Sequence, residues 1–118
     1  MEEIFDFENL LVYKKALAFI DEVYAVCGRF PPIERFALAD QFRRAATSIA
    51  LNIAEGTGGS RIEFKKFLKI ARRSIRECVA IMTIAGKRNY FNPEKEIEMR
   101  IKAIELSKMI SGLMASLR

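Results

Sequence analysis

The chain has 118 residues, 51% apolar and 30% charged, with 9 Gly and Pro together, the profile of one globular domain and not of a disordered or collagen-like chain. It contains no His, which excludes imidazole bases, Ser-His and Cys-His nucleophile pairs and His-ligated metals. The net charge of +5 is uneven: residues 1–60 carry 6 basic and 9 acidic groups, residues 61–118 carry 14 and 6, and residues 61–88 alone carry 9 and 2, a concentration that calls for a polyanion or for acidic neighbours.

Taken in chain order, the apolar spacing predicts four helices, with no alternating run bounded by turns. The first covers about residues 9–28, with Asp6 or Asn9 as N-cap and Gly28 near its end. Pro32 fits the first turn of the second helix, where its missing N–H costs nothing. That helix runs to Glu55 and ends at Gly56, where a left-handed C-cap is expected. After Gly56-Thr57-Gly58-Gly59, Ser60 and Glu63 have the spacing of a capping box and open the third helix, which reaches about Gly86. Lys87 to Phe91 form a connection, and Asn92-Pro93 supplies an N-cap and an N1 proline for the fourth. Short connections imply antiparallel neighbours, so the expected fold is all-α: an antiparallel up-down four-helix bundle forming a single domain over residues 1–118.

At about 100° per residue, Phe64, Phe67, Leu68, Ala71, Ile75, Cys78, Val79 and Met82 share one stripe of the third helix, its expected core face. Lys65, Lys69, Arg72 and Arg76 form a second stripe beside it, widened by Lys66 and Arg73, and after the first turn Glu77 is the helix's acid. The basic side chains are therefore aligned and not neutralised along their own helix. The first helix carries two apolar seams, Leu10, Tyr13, Leu17, Ile20, Tyr24 and Cys27 beside Val12, Ala16, Phe19, Val23 and Val26. The fourth has Met99, Ala103, Leu106, Ile110, Leu113, Met114 and Leu117 on one side with Ile97, Ile101 and Ile104 roughly opposite. One bundle core cannot cover both sides, so the excess points to self-association.

Several motifs resolve towards structure and not chemistry. The glycine-rich stretch before Ser60 lacks the Gly-Lys-Ser/Thr of a P-loop and follows a helix, so it is read as a turn. Asn52 and Glu55 lie three apart near that loop and would be the only material for an enzyme, but without a second catalytic group they are read with Gly56 as a polar structural motif. Arg43 and Arg44 stand mid-helix, each open to a salt bridge or a phosphate contact. Cys27 and Cys78 fit neither a CxxC redox site nor a zinc site and are read as buried hydrophobes of a reducing compartment. No catalytic residue, metal, cofactor or small-molecule substrate is expected. The acidic N-terminus does not read as a secretory signal, and no apolar run approaches the roughly 20 residues of a membrane span, so no membrane contact and a cytoplasmic location are expected.

The motifs from Phe7-Glu8-Asn9-Leu10 and Val12-Tyr13-Lys14-Lys15-Ala16, through Phe30-Pro31, Arg43-Arg44-Ala45-Ala46, Ser48-Ile49 and Asn52-Ile53-Ala54-Glu55-Gly56, to Glu63-Phe64-Lys65-Lys66-Phe67-Leu68 resemble the bacterial four-helix-bundle family of 23S rRNA intervening-sequence proteins. The family is similar in turn to the accessory variability determinant of diversity-generating retroelements. The resemblance implies a homopentamer of antiparallel bundles and nucleic-acid association among relatives, without a settled activity. Tyr13 stands where the family usually has Trp, and Ala71-Arg72-Arg73-Ser74 departs from the family's Ala-x-Gly-Ser, so the basic third helix is partly this chain's own. The expected function is an oligomeric, non-enzymatic binding module. It would hold a nucleic-acid backbone, RNA favoured over DNA, on Lys65, Lys69, Arg72, Arg73 and Arg76, with Arg43 and Arg44 secondary. The alternative is a scaffold without nucleic acid, whose stripe pairs with a neighbour's Asp21, Glu22, Glu34 and Asp40.

Overall fold

In the computed structural model, which describes residues 4–117, four helices follow one another: α1 (Leu11–Cys27), α2 (Leu38–Gly56), α3 (Arg61–Lys87) and α4 (Pro93–Ser116). No strand occurs among the described residues. Each helix packs against its neighbours in a ring, α1 on α2, α2 on α3, α3 on α4 and α4 back on α1, with no diagonal approach. This is the expected up-down bundle, about 42 × 32 × 23 Å.

Two helix starts follow their local signals. Ser60 Oγ accepts from the Glu63 amide at 3.2 Å, and Glu63 Oε1 accepts from the Ser60 amide at 2.9 Å, a reciprocal pairing that satisfies two orphan donors. Asn92 Oδ1 accepts from the Glu94 amide at 2.7 Å ahead of α4, with Pro93 as its first residue. The other two starts differ from expectation. Asp6–Asn9 form a 3-10 turn, and α1 begins after Leu10 with no side-chain cap. Neither Asp6 nor Asn9 is the N-cap, because Glu8 closes the turn by accepting from the Phe5 amide at 2.7 Å. Pro32 starts a separate 3-10 turn, Pro32–Glu34, and α2 begins only at Leu38, whose amide donates to Glu34 Oε1 at 3.2 Å. The first helix stops at Cys27 and the third at Lys87, where Asn89 takes φ 60° to turn the chain.

Gly56 also departs from expectation. Its φ is not positive; it is the last residue of α2, buried against α3, where an added Cβ would stand 2.8 Å from Phe64 Cδ1 and 2.9 Å from Phe67 Cβ. Glycine is required there by close approach, not by handedness.

The core takes Val12, Ala16, Phe19, Val23 and Val26 from α1, so the second of that helix's seams faces inward. From α2 come Phe42, Ile49 and Ile53 among small residues Ala39, Ala45, Ala46 and Ala50; from α3 Leu68, Ala71, Ile75, Cys78, Ile81 and Met82; from α4 Met99, Ala103, Leu106 and Ile110. Full burial of a side chain such as Phe19 or Phe42 stabilises by roughly 2–3 kcal/mol. Phe64 and Phe67, placed on the core stripe, are only half-buried at the bundle end. An aromatic cluster closes the opposite end: Phe30 lies 5.4 Å from Tyr90 and 6.2 Å from Phe91, centroid to centroid. The Tyr90 hydroxyl donates to Glu34 Oε2 at 2.8 Å, a bond that lifts its pKa and ties the α1–α2 turn to the α3–α4 connection.

Candidate nucleic-acid interface

Helix α3 divides along its outward face. In its N-terminal half Lys65, Lys66, Lys69, Arg72, Arg73 and Arg76 follow one another, and in its C-terminal half the same face carries Ala80 and Ile84. From Lys65 to Arg76 the row is about 16 Å long at the rise of an α-helix. Lys69, Arg72, Arg73 and Arg76 line one open concavity of about 620 Å³. Among the described residues none of these six bases lies within ion-pair distance of a carboxylate. Of the two acids on the helix, Glu63 accepts from the Ser60 amide in the first turn and only its charge reaches Lys66, while Glu77 is turned towards α2, where its Oε2 accepts from Gln41 Nε2 at 3.3 Å.

The row is not uniform. Lys69, Arg73 and Arg76 are exposed, whereas Lys65 and Arg72 are half-buried. Arg72 leans towards α4, and its Nη1 donates to Ser111 Oγ at 3.1 Å. Ser111 and the exposed Lys108, one turn before it, extend the polar surface onto α4. Periodicity within α3 could not point to them, but the antiparallel pairing of α3 with α4 sets the basic half of one beside the last turns of the other.

Arg43 and Arg44 do not join this row. Both neighbour Asp40, at 3.9 and 3.7 Å, and Arg43 Nη2 also donates to the Arg35 carbonyl at 2.9 Å, holding the α1–α2 turn. Arg44 is mostly exposed and lines a trough on the outer side of α2 with Tyr24, Leu51 and Glu55. Asn52 lies on that surface too. Its Nδ2 donates to the Ser48 carbonyl at 2.8 Å and to Ser48 Oγ at 2.9 Å, and Ser48 Oγ accepts from Ser74 Oγ of α3 at 2.9 Å. The network therefore runs sideways to α3, not to the glycine loop. Glu55 is exposed, and its backbone carbonyl accepts from the Gly58 amide at 3.2 Å.

The acids offered as partners for the basic row are mostly committed within the bundle. Glu22 accepts from Lys95 and Lys102 at 2.9 and 2.8 Å, Glu34 holds Tyr90 and the Leu38 amide, and Asp40 faces the two arginines. Burial raises the Glu22 carboxyl, but the hydrogen bonds and charges of Lys102 and Lys95 together outweigh it, and its pKa falls below the ordinary value. Burial pushes the Cys27 thiol up to about 11 and the Cys78 thiol up to about 12, so both are inert packing groups. No cluster of metal-ligating side chains occurs among the described residues, and no helix among them is long and apolar enough to cross a membrane.

The fold is similar to that in the crystal structure of a protein of unknown function from the S23 ribosomal protein family of Bacteroides thetaiotaomicron. The TM-score is 0.82 with 22% sequence identity, over 89% of this chain and 96% of that one. Among curated proteins none matches. The 23S rRNA-intervening sequence protein family matches residues 8–112, a span that holds all four helix starts and the whole basic row. The chain belongs to the family of 23S rRNA-intervening sequence proteins.

Proposed function

We propose that the protein is an oligomeric, non-enzymatic binding module whose α3 face holds a nucleic-acid backbone, RNA favoured. The observation that carries this reading is the row Lys65, Lys69, Arg72, Arg73 and Arg76, whose charges find no carboxylate among the described residues. Like charges at i,i+4 and i,i+3 repel one another and destabilise a helix. Uncompensated repulsion along three turns is offset when a polyanion binds and condensed counterions are released. Arg43 and Arg44 are secondary, since Asp40 and the Arg35 carbonyl already hold them. The similarity to the retroelement accessory determinant belongs to this reading and favours RNA or DNA over other polyanions.

Self-association is the second part of the reading. Ile97, Ile101 and Ile104 are 60%, 61% and 47% exposed, more apolar surface on one helix face than an isolated subunit ordinarily leaves in water. We infer a homo-oligomer, with five copies as the number the resemblance favours and a cytoplasmic location. The scaffold alternative is weakened because Glu22, Glu34 and Asp40 are engaged within their own bundle.

An electrophoretic shift of single-stranded RNA at low salt tests the binding reading. Wild type should retain the strand, and a variant with Lys69→Glu and Arg73→Glu should release it with helix content unchanged. Equal retention by both proteins overturns the assignment to α3.

A further inference from the structure

The α1–α2 turn projects two large apolar side chains into solvent, Ile33 at 83% and Phe36 at 85% exposure. The turn is held in place from three sides. Glu34 is fixed by the Tyr90 hydroxyl and the Leu38 amide, the Arg35 carbonyl by Arg43, and the Arg35 guanidinium lies over the Phe36 ring at 5.3 Å. Phe36 is thus a preorganised apolar knob with a cation against it. A knob of this kind loses little freedom on docking, which is what makes an aromatic side chain an effective interface anchor.

A matching hollow lies elsewhere on the same chain. Between α3 and α4, Val79, Ala80, Ala103 and Ile104 line an apolar groove of about 590 Å³, rimmed by Arg76 and Glu77. The exposed Ile84, Ile97 and Ile101 extend its apolar surface. The small Ala80 and Ala103 set its depth, and Glu77, whose Oε2 holds Gln41 of α2, keeps its second carboxylate oxygen for an incoming cation at the rim. The turn joins α1 to α2, on the far side of the helix ring from this groove, and its hydrogen bonds hold it there. A chain cannot fill its own groove.

We propose that the α3–α4 groove receives the Ile33–Phe36 tip of a second copy, with that copy's Arg35 beside Glu77. The proposal rests on the self-association reading and gives it a geometry. Knob and hollow are different surfaces, so the contact is heterologous and generates a closed ring or a filament, not a two-fold dimer. It also places the basic row, which ends at Arg76, at the margin of every subunit contact.

Cysteine cross-linking of co-expressed, differently tagged chains tests this. Ala37→Cys and Ala80→Cys both alter exposed positions and leave Phe36 in place, so the fold, checked by circular dichroism, and the contact itself should persist. The native Cys27 and Cys78 are buried and leave the introduced thiols to react. Under mild oxidation the two variants together should give a mixed disulfide-linked dimer, and each variant alone should give none. Ile33→Ser with Phe36→Ser, or Ile104→Glu alone, should reduce the mass in light scattering from the oligomer to 13.5 kDa. A disulfide dimer formed by either variant alone, or no mixed dimer from an oligomeric wild type, overturns the head-to-tail contact and leaves self-association standing. A monomeric wild type overturns both.

Discussion

Gly56 and Phe64 meet where α2 ends and α3 begins, with room for a hydrogen but not a methyl: a Cβ on Gly56 would lie 2.8 Å from Phe64 Cδ1 and 2.9 Å from Phe67 Cβ. The Phe64 ring could swing aside, but the Phe67 Cβ is fixed to its backbone. Helix propensity alone favours Ala over Gly by about 1 kcal/mol at a helical φ. Overpacking opposes it by roughly 1–3 kcal/mol. The difference leaves roughly 0–2 kcal/mol of net cost, so Gly56→Ala should lower stability in urea unfolding by about 1 kcal/mol. A more stable Gly56→Ala protein would show that α3 gives way at this point.

Glu22 bridges α1 to α4 through Lys95 and Lys102. Its carboxyl pKa is lowered in the folded state, so its contribution is present above the unfolded carboxyl pKa and is lost as pH falls through the folded one. Glu22→Gln should cost about 1 kcal/mol at neutral pH, the scale of a well-formed but partly solvated pair. The difference from wild type should shrink below about pH 4, near the ordinary carboxylate pKa. Unfolding curves of the two proteins at pH 7 and pH 3 check this, and a gap undiminished at pH 3 contradicts it.

Cys27 and Cys78 should be slow to modify. With thiol pKa values of about 11 and 12 from burial, almost none of either is thiolate at pH 8. Labelling by an aromatic disulfide reagent should follow the unfolding rate in buffer and become fast in denaturant. Rapid labelling of the native protein would mean that the bundle interior opens far more readily than its packing implies.

Much of this bundle is legible in the sequence because its signals are local. Ser60 with Glu63 and Asn92 with Pro93 mark helix starts through atoms three residues apart or fewer, and the basic row on α3 follows from a period of 3.6 residues. What stays illegible depends on contacts between distant segments. Gly56 reads as a cap, but its reason lies in Phe64 and Phe67 across the turn. Phe36 reads as part of the second helix because Pro32 can start one; with Glu34 capping Leu38 instead, Phe36 falls on the turn and points outward. Arg43 and Arg44 read like the α3 bases, and only the position of Asp40 and the Arg35 carbonyl separates them. Ala80 gives no signal at all, being too small to mark a surface until Ile104 stands beside it.

The central claim is that α3 neutralises phosphates, and the salt dependence of binding tests it most directly. Each phosphate neutralised on a single strand should contribute a slope of about −0.7 in log affinity against log salt. Arg72 is a poor residue to reverse because its bond to Ser111 ties α3 to α4; Lys69 and Arg73 are exposed and leave that contact alone. Fluorescence anisotropy of a labelled single-stranded RNA should give wild type a slope several times that unit. Lys69→Glu with Arg73→Glu should remove at least two units while oligomer mass and helix content stay as they were. A wild-type affinity independent of salt, or a slope unchanged by the double reversal, would contradict the account.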